Sequence, residues 1–305
     1  MRKIGLLSVI AAISVAAIVG SCSERAITAD VEYNSEGPAA GSLIIAGGSL
    51  RDTSVVNRFI SLAGGEDALI LFVPTSSGRA SFDTARTVSL LTSAGARNVE
   101  LLHTYDPEVA DSEEFASVIR EAGGIFFGGG RQWRLVDAYG GTLAEREFRA
   151  LLDRGGVIGG SSAGATIQGS YLVRGDTATN TIMMGSHTRG FGYITNSAID
   201  QHLLVRNRQN DLLEVIEEYP SLLGIGIDEN TAVLVQGNEL EVLGESFVAI
   251  YDHSLWSGSR SDSLTLRNDG RFFLLRRGDR YNIKEREVIR LVGGGSRNPF
   301  TTTGD

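Results

Sequence analysis

The chain has 305 residues, is 42% hydrophobic and 21% charged, and carries 38 glycines and five prolines, a composition that allows one large buried core or two small ones. Its formal net charge of −9 argues against a nucleic-acid partner. A single cysteine, Cys22, excludes an internal disulfide framework and a cysteine-rich zinc site.

Arg2-Lys3 precedes an apolar stretch from Ile4 to Val19. This is a signal-peptide layout, and the stretch is short for a spanning helix. Val19-Gly20-Ser21-Cys22 resembles the lipobox of bacterial lipoproteins. The resemblance implies cleavage before Cys22 and lipid attachment to its sulfur. Residues 1–21 are then a signal peptide and 22–41 a polar tether. The expected location is outside the cytoplasm, lipid-anchored to a bacterial membrane and facing the periplasm or the cell surface.

From Ser42 the pattern alternates. Ser42 to Ala46 is an apolar run closed by Gly47-Gly48, and Val55 to Leu62 has helical spacing. Ala68 to Val73 is a second continuous run, Phe82 to Ala94 a helix, and Val99 to Leu102 a short strand. Glu113 to Glu121 is helical, Gly124 to Phe127 is a strand ending in Gly128-Gly129-Gly130, and Leu143 to Arg154 is an amphipathic helix. A further apolar run from Gly155 to Ile158 leads into Gly159-Gly160-Ser161-Ser162-Ala163-Gly164. Continuous apolar strands alternating with helices predict an α/β fold, a mostly parallel sheet with helices on both faces. After about residue 222 hairpin signals appear at Gly237-Asn238 and Asn268-Asp269-Gly270. The expected layout is an α/β domain over 42–230, an antiparallel β extension over 231–292 that closes it, and a tail over 293–305.

Ligands of such sheets bind beyond the C-terminal strand ends, where three glycine clusters fall. Gly160-Ser161-Ser162-Ala163-Gly164 fits GxSxG between a strand and a helix. Small flanking residues allow the sharp turn that lifts a serine hydroxyl above a sheet. A serine needs an adjacent base, and His202 in Asp200-Gln201-His202 follows it in chain order. Gly128 to Gly130 lacks the dinucleotide-binding spacing, and no HExxH helix suggests a metal hydrolase.

Together GGSSAGA, IDQHLLVRNR, FFGGGRQWRL and GIGIDENTAV resemble the serine peptidase family that contains cyanophycinase and the aspartyl dipeptidases. Its fold is related to the class I glutamine amidotransferase domain. The resemblance implies Ser162 as nucleophile and His202 as general base, with no metal or organic cofactor. It places Gln132, Gln201, Arg206 and Arg208 at the substrate. Backbone N–H groups of Ala163 and of Gly129 or Gly130 would form the oxyanion hole. An acidic residue between nucleophile and base completes the family's triad. Asp176 is the match, with Asp200 as the alternative. The carboxylates of Asp228-Glu229 would hold a basic substrate group, brace the site, or cap a strand entry.

Cyanophycinases carry an arginine where this chain has Asp211, so the pocket differs in charge. The expected substrates are small acidic peptides with aspartyl or β-aspartyl linkages, and a homodimer is a candidate assembly. The rival expectation is a catalytically silent lipoprotein that binds such ligands on the same fold.

Overall fold

Four buried parallel strands build the centre of the protein. The computed structural model describes residues 31–78, 85–180, 185–255 and 272–292. The expected signal peptide, Cys22, the C-terminal tail and the Asn268-Asp269-Gly270 turn lie outside these residues, as does most of the expected tether. In chain order the first elements are β1 (Ser42–Ala46), α1 (Thr53–Leu62), β2 (Ile70–Val73), α2 (Ala85–Ser93), β3 (Val99–Leu101), α3 (Pro107–Ala110) and α4 (Glu113–Glu121). Then come β4 (Gly124–Phe127), α5 (Trp133–Tyr139), α6 (Leu143–Asp153), β5 (Val157–Ser161), α7 (Ala163–Thr166), β6 (Gly169–Tyr171), β7 (Ile194–Gln201), α8 (Asp211–Glu218) and β8 (Leu223–Ile227). The last are β9 (Thr231–Gln236), β10 (Glu239–Gly244), β11 (Phe247–Asp252), β12 (Phe272–Arg276), β13 (Arg280–Asn282) and β14 (Glu287–Arg290).

A first sheet has the order β14-β13-β10-β9-β1-β5-β4-β2-β3. Its β1, β5, β4, β2 and β3 are parallel to one another, and β9 joins antiparallel to β1. Apart from the edge strand β3, whose Glu100 and Leu101 are exposed, these strands are largely apolar because both faces are covered. Ile44, Ile70, Phe72 and Phe126 pack against Val55, Val56 and Phe59 of α1 and Leu91 of α2. The alternate residues Leu43, Ile45, Leu71, Val73, Ile125 and Phe127 face the opposite layer, with Ile119, Leu135, Phe148 and Leu151 of α4 to α6. Burying each of these large side chains contributes about 1.5–3 kcal/mol, which fixes the frame from which the site loops project.

A second sheet, β12-β11-β8-β7-β6, goes beyond the expected layout. Its Ile199, Ile225, Ile227, Val248 and Ile250 share a cluster with Val233 and Val235 of the first sheet. Its other face packs Ala198, Ala249 and Tyr251 on Leu212, Val215 and Ile216 of α8. The expected β extension therefore divides. Strands β9, β10, β13 and β14 widen the first sheet, whereas β11 and β12 widen the second. The Gly237-Asn238 hairpin joins β9 to β10, with Gln236 opposite Glu239 and Gly237 at φ 56°.

The segment before β1 is fastened at the start of β7. Ser35 Oγ donates to the Asn196 carbonyl at 2.8 Å, and the Thr195 N–H donates to the Glu36 carbonyl at 2.8 Å. Arg286 stacks on the Tyr33 ring at 4.7 Å and donates to Ser35 Oγ at 2.9 Å.

At the other end of these strands the two sheets are tied through the loop after β1. The Ser162 N–H donates to the Ala46 carbonyl at 3.0 Å, the His202 N–H to Gly47 at 2.9 Å and the Asn230 N–H to Gly48 at 2.9 Å. The ends of β5, β7 and β8 thus meet around one loop.

Candidate active site

Ser162 sits between β5 and α7 with φ 58° and ψ −113°, a conformation costing a non-glycine residue about 1–3 kcal/mol. The strain is tolerated because its neighbours leave room. A Cβ on Gly160 would lie 2.1 Å from the Gly164 carbonyl oxygen, and one on Gly164 would lie 2.1 Å from the Phe127 carbonyl oxygen. The GxSxG spacing is thus a packing requirement of this turn.

His202 follows the last residue of β7 and is itself left-handed, φ 56°. Its Nε2 lies 3.0 Å from Ser162 Oγ, and its Nδ1 lies 2.5 Å from Glu229 Oε1. Burial works to raise the Glu229 pKa, but hydrogen bonds from Ser49 and His202 and the charges of His202 and Arg206 hold it below the ordinary carboxylate value. Glu229 is therefore an ionised acceptor, which places the proton on Nδ1. Nε2 is left to accept from the serine hydroxyl. Burial pushes the His202 pKa below its usual value, and the cations Arg206 and Arg208 push the same way. Glu229 opposes them. A neutral imidazole, the form a general base needs, is favoured.

The carboxylate on His202 is thus Glu229 and neither Asp176 nor Asp200. Asp176 accepts from the Ala178 N–H at 2.8 Å and from the Thr179 hydroxyl, within its own loop. Asp200 is fully buried and accepts from Arg174 through two bonds, at 3.0 and 3.1 Å. Glu229 reaches the site because β8 runs parallel to β7, with Gln201 paired to Ile227. The adjacent Asp228 braces the turn: its Oδ1 accepts from the N–H groups of Leu204 and Val205 at 2.9 and 3.1 Å. The sequence signal for Glu229 was an acidic pair immediately after the apolar run Leu223 to Ile227.

Gly129 lies beside Ser162, where a Cβ would stand 3.4 Å from Ser162 Cβ and 3.9 Å from Oγ. Among the described residues no acceptor takes the N–H of Gly129 or of Ala163. Gly130 turns against Ser76, whose carbonyl oxygen would lie 2.1 Å from an added Cβ. Ser76 Oγ donates to the carbonyls of Gly128 and Gly129 at 2.9 and 2.8 Å. A cavity of about 460 Å³ opens here, lined by Ser49, Leu50, Arg51, Ser89, Leu90, Ser93, Phe126, Gly128, Gly129, Ser161, Ser162 and His202.

The expected substrate residues divide. Gln132 is buried, and its Nε2 donates to the carbonyls of Val173 and Arg174 at 2.5 and 3.1 Å. It holds backbone, and it is absent from the cavity lining. Gln201 is buried with Oε1 3.5 Å from Ser162 Oγ. Arg208 is buried and donates to the Gln201 carbonyl at 3.1 Å and to its Oε1 at 3.3 Å. Arg206 is exposed. Asp211 does not stand free, because its Oδ2 accepts from Arg174 Nη2 at 2.5 Å.

Known proteins share this arrangement of chain. The family model for peptidase family S51 matches residues 43–243. The cyanophycinase of Geminocystis herdmanii is 31% identical over 261 residues, covering 81% of this chain and 96% of the relative. That of Synechococcus elongatus is 30% identical over 256 residues, covering 78% of this chain and 77% of the relative. Among solved structures, a peptidase from an acI-B1 Actinobacterium superposes with a TM-score of 0.61 at 22% identity, covering 80% of this chain and 97% of that one. That likeness supports the fold. The chain belongs to peptidase family S51 and is a serine-type peptidase that hydrolyses peptides.

Proposed function

We propose that this peptidase is an exopeptidase or isopeptidase of small peptides with aspartyl or β-aspartyl linkages, acting through an ester on Ser162. The observation that carries the proposal is the continuous line Glu229–His202–Ser162, with contacts of 2.5 and 3.0 Å. Ser162 Oγ attacks the scissile carbonyl while its proton passes to His202 Nε2. Glu229 holds the imidazole by Nδ1 and stabilises the cation that forms. The carbonyl oxygen, now negative, accepts from the N–H groups of Gly129 and Ala163. When the tetrahedral centre collapses, His202 gives its proton to the leaving amine, and the acyl group stays on Oγ. Water then repeats the sequence, freeing the acid and restoring the serine.

The relatives named cyanophycinase support the aspartyl reading. The Arg174–Asp211 pair takes up the charge at the position where cyanophycinases carry an arginine, so the proposed substrates are short peptides. A second part of the proposal is export and lipid anchoring, supported by Val19-Gly20-Ser21-Cys22. Incorporation of labelled palmitate into wild type and none into Cys22→Ser is the result it requires.

The activity is tested on Asp-Leu, β-Asp-Leu, β-Asp-Arg and Ala-Leu, with wild type and Ser162→Ala. Cleavage of the aspartyl peptides, lost by roughly a millionfold in the variant, is expected. Equal turnover of Ala-Leu by wild type would overturn the specificity. Unchanged turnover by Ser162→Ala would remove Ser162 from the chemistry.

A further inference from the structure

We propose that Arg51 is the carboxylate receptor of this active site, a specificity residue supplied by the loop after β1. The inference rests on the proposed aspartyl substrates for its choice of ligand, and on geometry for its choice of residue. Among the described residues Arg51 is the only arginine or lysine in the lining of the cavity that holds Ser162 and His202. Most arginines around this site are already engaged with protein acceptors. Arg131 donates to the Thr179 carbonyl, Arg134 to Ser76, Arg174 to Asp200 and Arg208 to Gln201. Among the described residues the Arg51 guanidinium has neither an ion pair nor a hydrogen bond.

Its backbone, by contrast, is fixed. The N–H groups of Arg51 and Asp52 both donate to Asn230 Oδ1, at 2.7 and 2.8 Å. Asn230 directly follows Glu229, so one segment positions both the group that orients His202 and the root of Arg51. Asp52, the nearest carboxylate in sequence, does not neutralise it. Its Oδ1 accepts from the Ser54 N–H and hydroxyl, and its Oδ2 faces Arg277 at 3.8 Å.

An exposed arginine on a clamped backbone, lining a cavity of an acidic protein, is suited to an anion. A guanidinium forms paired bonds to a carboxylate. An aspartyl peptide has two that fit. One is the free carboxylate of the aspartyl residue, next to the scissile carbonyl in either linkage. The other is the C-terminal carboxylate of the residue that leaves.

The test compares wild type, Arg51→Gln and Arg51→Lys on Asp-Leu, Asn-Leu and Asp-Leu amide. If Arg51 reads the aspartyl carboxylate, the kcat/KM preference for Asp-Leu over Asn-Leu falls roughly 10- to 100-fold in Arg51→Gln, and lysine restores part of it. If it reads the leaving residue, the preference for Asp-Leu over its amide falls instead. A parallel assay needs no turnover: succinate should slow fluorophosphonate labelling of Ser162 in wild type, and Arg51→Gln should need at least about tenfold more. Unchanged preferences and unchanged protection by succinate overturn the proposal. Should wild type cleave no aspartyl peptide, the proposed function fails, and the succinate assay alone then decides for or against Arg51. Thermal midpoints of the variants check that each is folded.

Discussion

Replacing Glu229 by glutamine removes one charge and almost no volume. In the proposed mechanism His202 Nε2 holds the serine proton in the transition state and the ring is a cation, with the Glu229 carboxylate 2.5 Å from Nδ1. With charge centres about 4 Å apart at an effective dielectric near 20, that attraction is about 4 kcal/mol, or roughly a thousandfold in rate. Glutamine adds a second loss. Its amide can donate to Nδ1, which moves the ring proton to Nε2 and leaves no acceptor for Ser162. Together the effects should slow acylation roughly ten-thousand-fold. The assay is the pseudo-first-order rate of fluorophosphonate labelling of Ser162, which does not depend on knowing the peptide. Asp176→Asn, at a carboxylate that accepts from the Ala178 N–H and the Thr179 hydroxyl, should label near the wild-type rate. A Glu229→Gln rate within tenfold of wild type, or an equal loss in Asp176→Asn, would refute the assignment.

Three other outcomes follow from the same geometry. Because burial first, and Arg206 and Arg208 with it, push the His202 pKa below its usual value, activity should rise with pH through an apparent pKa below the ordinary histidine value, and Arg206→Gln, which removes a cation disfavouring the protonated ring, should move that limb upward in a kcat/KM profile. A Cβ on Gly48 would lie 2.2 Å from His202 Cε1, and Gly48 is at φ 132°, so Gly48→Ala should displace the ring and cost roughly a hundredfold or more in labelling rate; normal labelling would count against the packing argument. Arg174→Leu leaves the fully buried Asp200 with only Arg208 at 3.8 Å, and urea unfolding should show a loss of about 3–5 kcal/mol, whereas a loss under about 1 kcal/mol would mark the pair as no stronger than a surface one.

The parallel centre was legible because its strands are buried on both faces, so Leu43 to Ala46 or Ile70 to Val73 read as unbroken apolar runs. Ser162 was legible because its turn demands glycine at fixed local spacing. The second sheet was not, since β7 mixes polar and apolar residues in ITNSAIDQ and is bent by Asn196 at φ 47°. Without that sheet the neighbour of His202 cannot be read. In the chain Asp176 is the acidic residue lying between nucleophile and base, while the carboxylate on His202 depends on the pairing of β7 with β8. Gln132 and Arg208 illustrate a related limit. A residue type fitted to substrate is equally fitted to a backbone carbonyl, and burial decides between the two.

The fastening of residues 33–36 at the start of β7 sets the direction of the molecule. That strand has eight residues and spans about 25 Å at roughly 3.3 Å per residue, with His202 just beyond its far end. Residues 33–36 therefore lie at the pole opposite the cavity that holds Ser162 and His202.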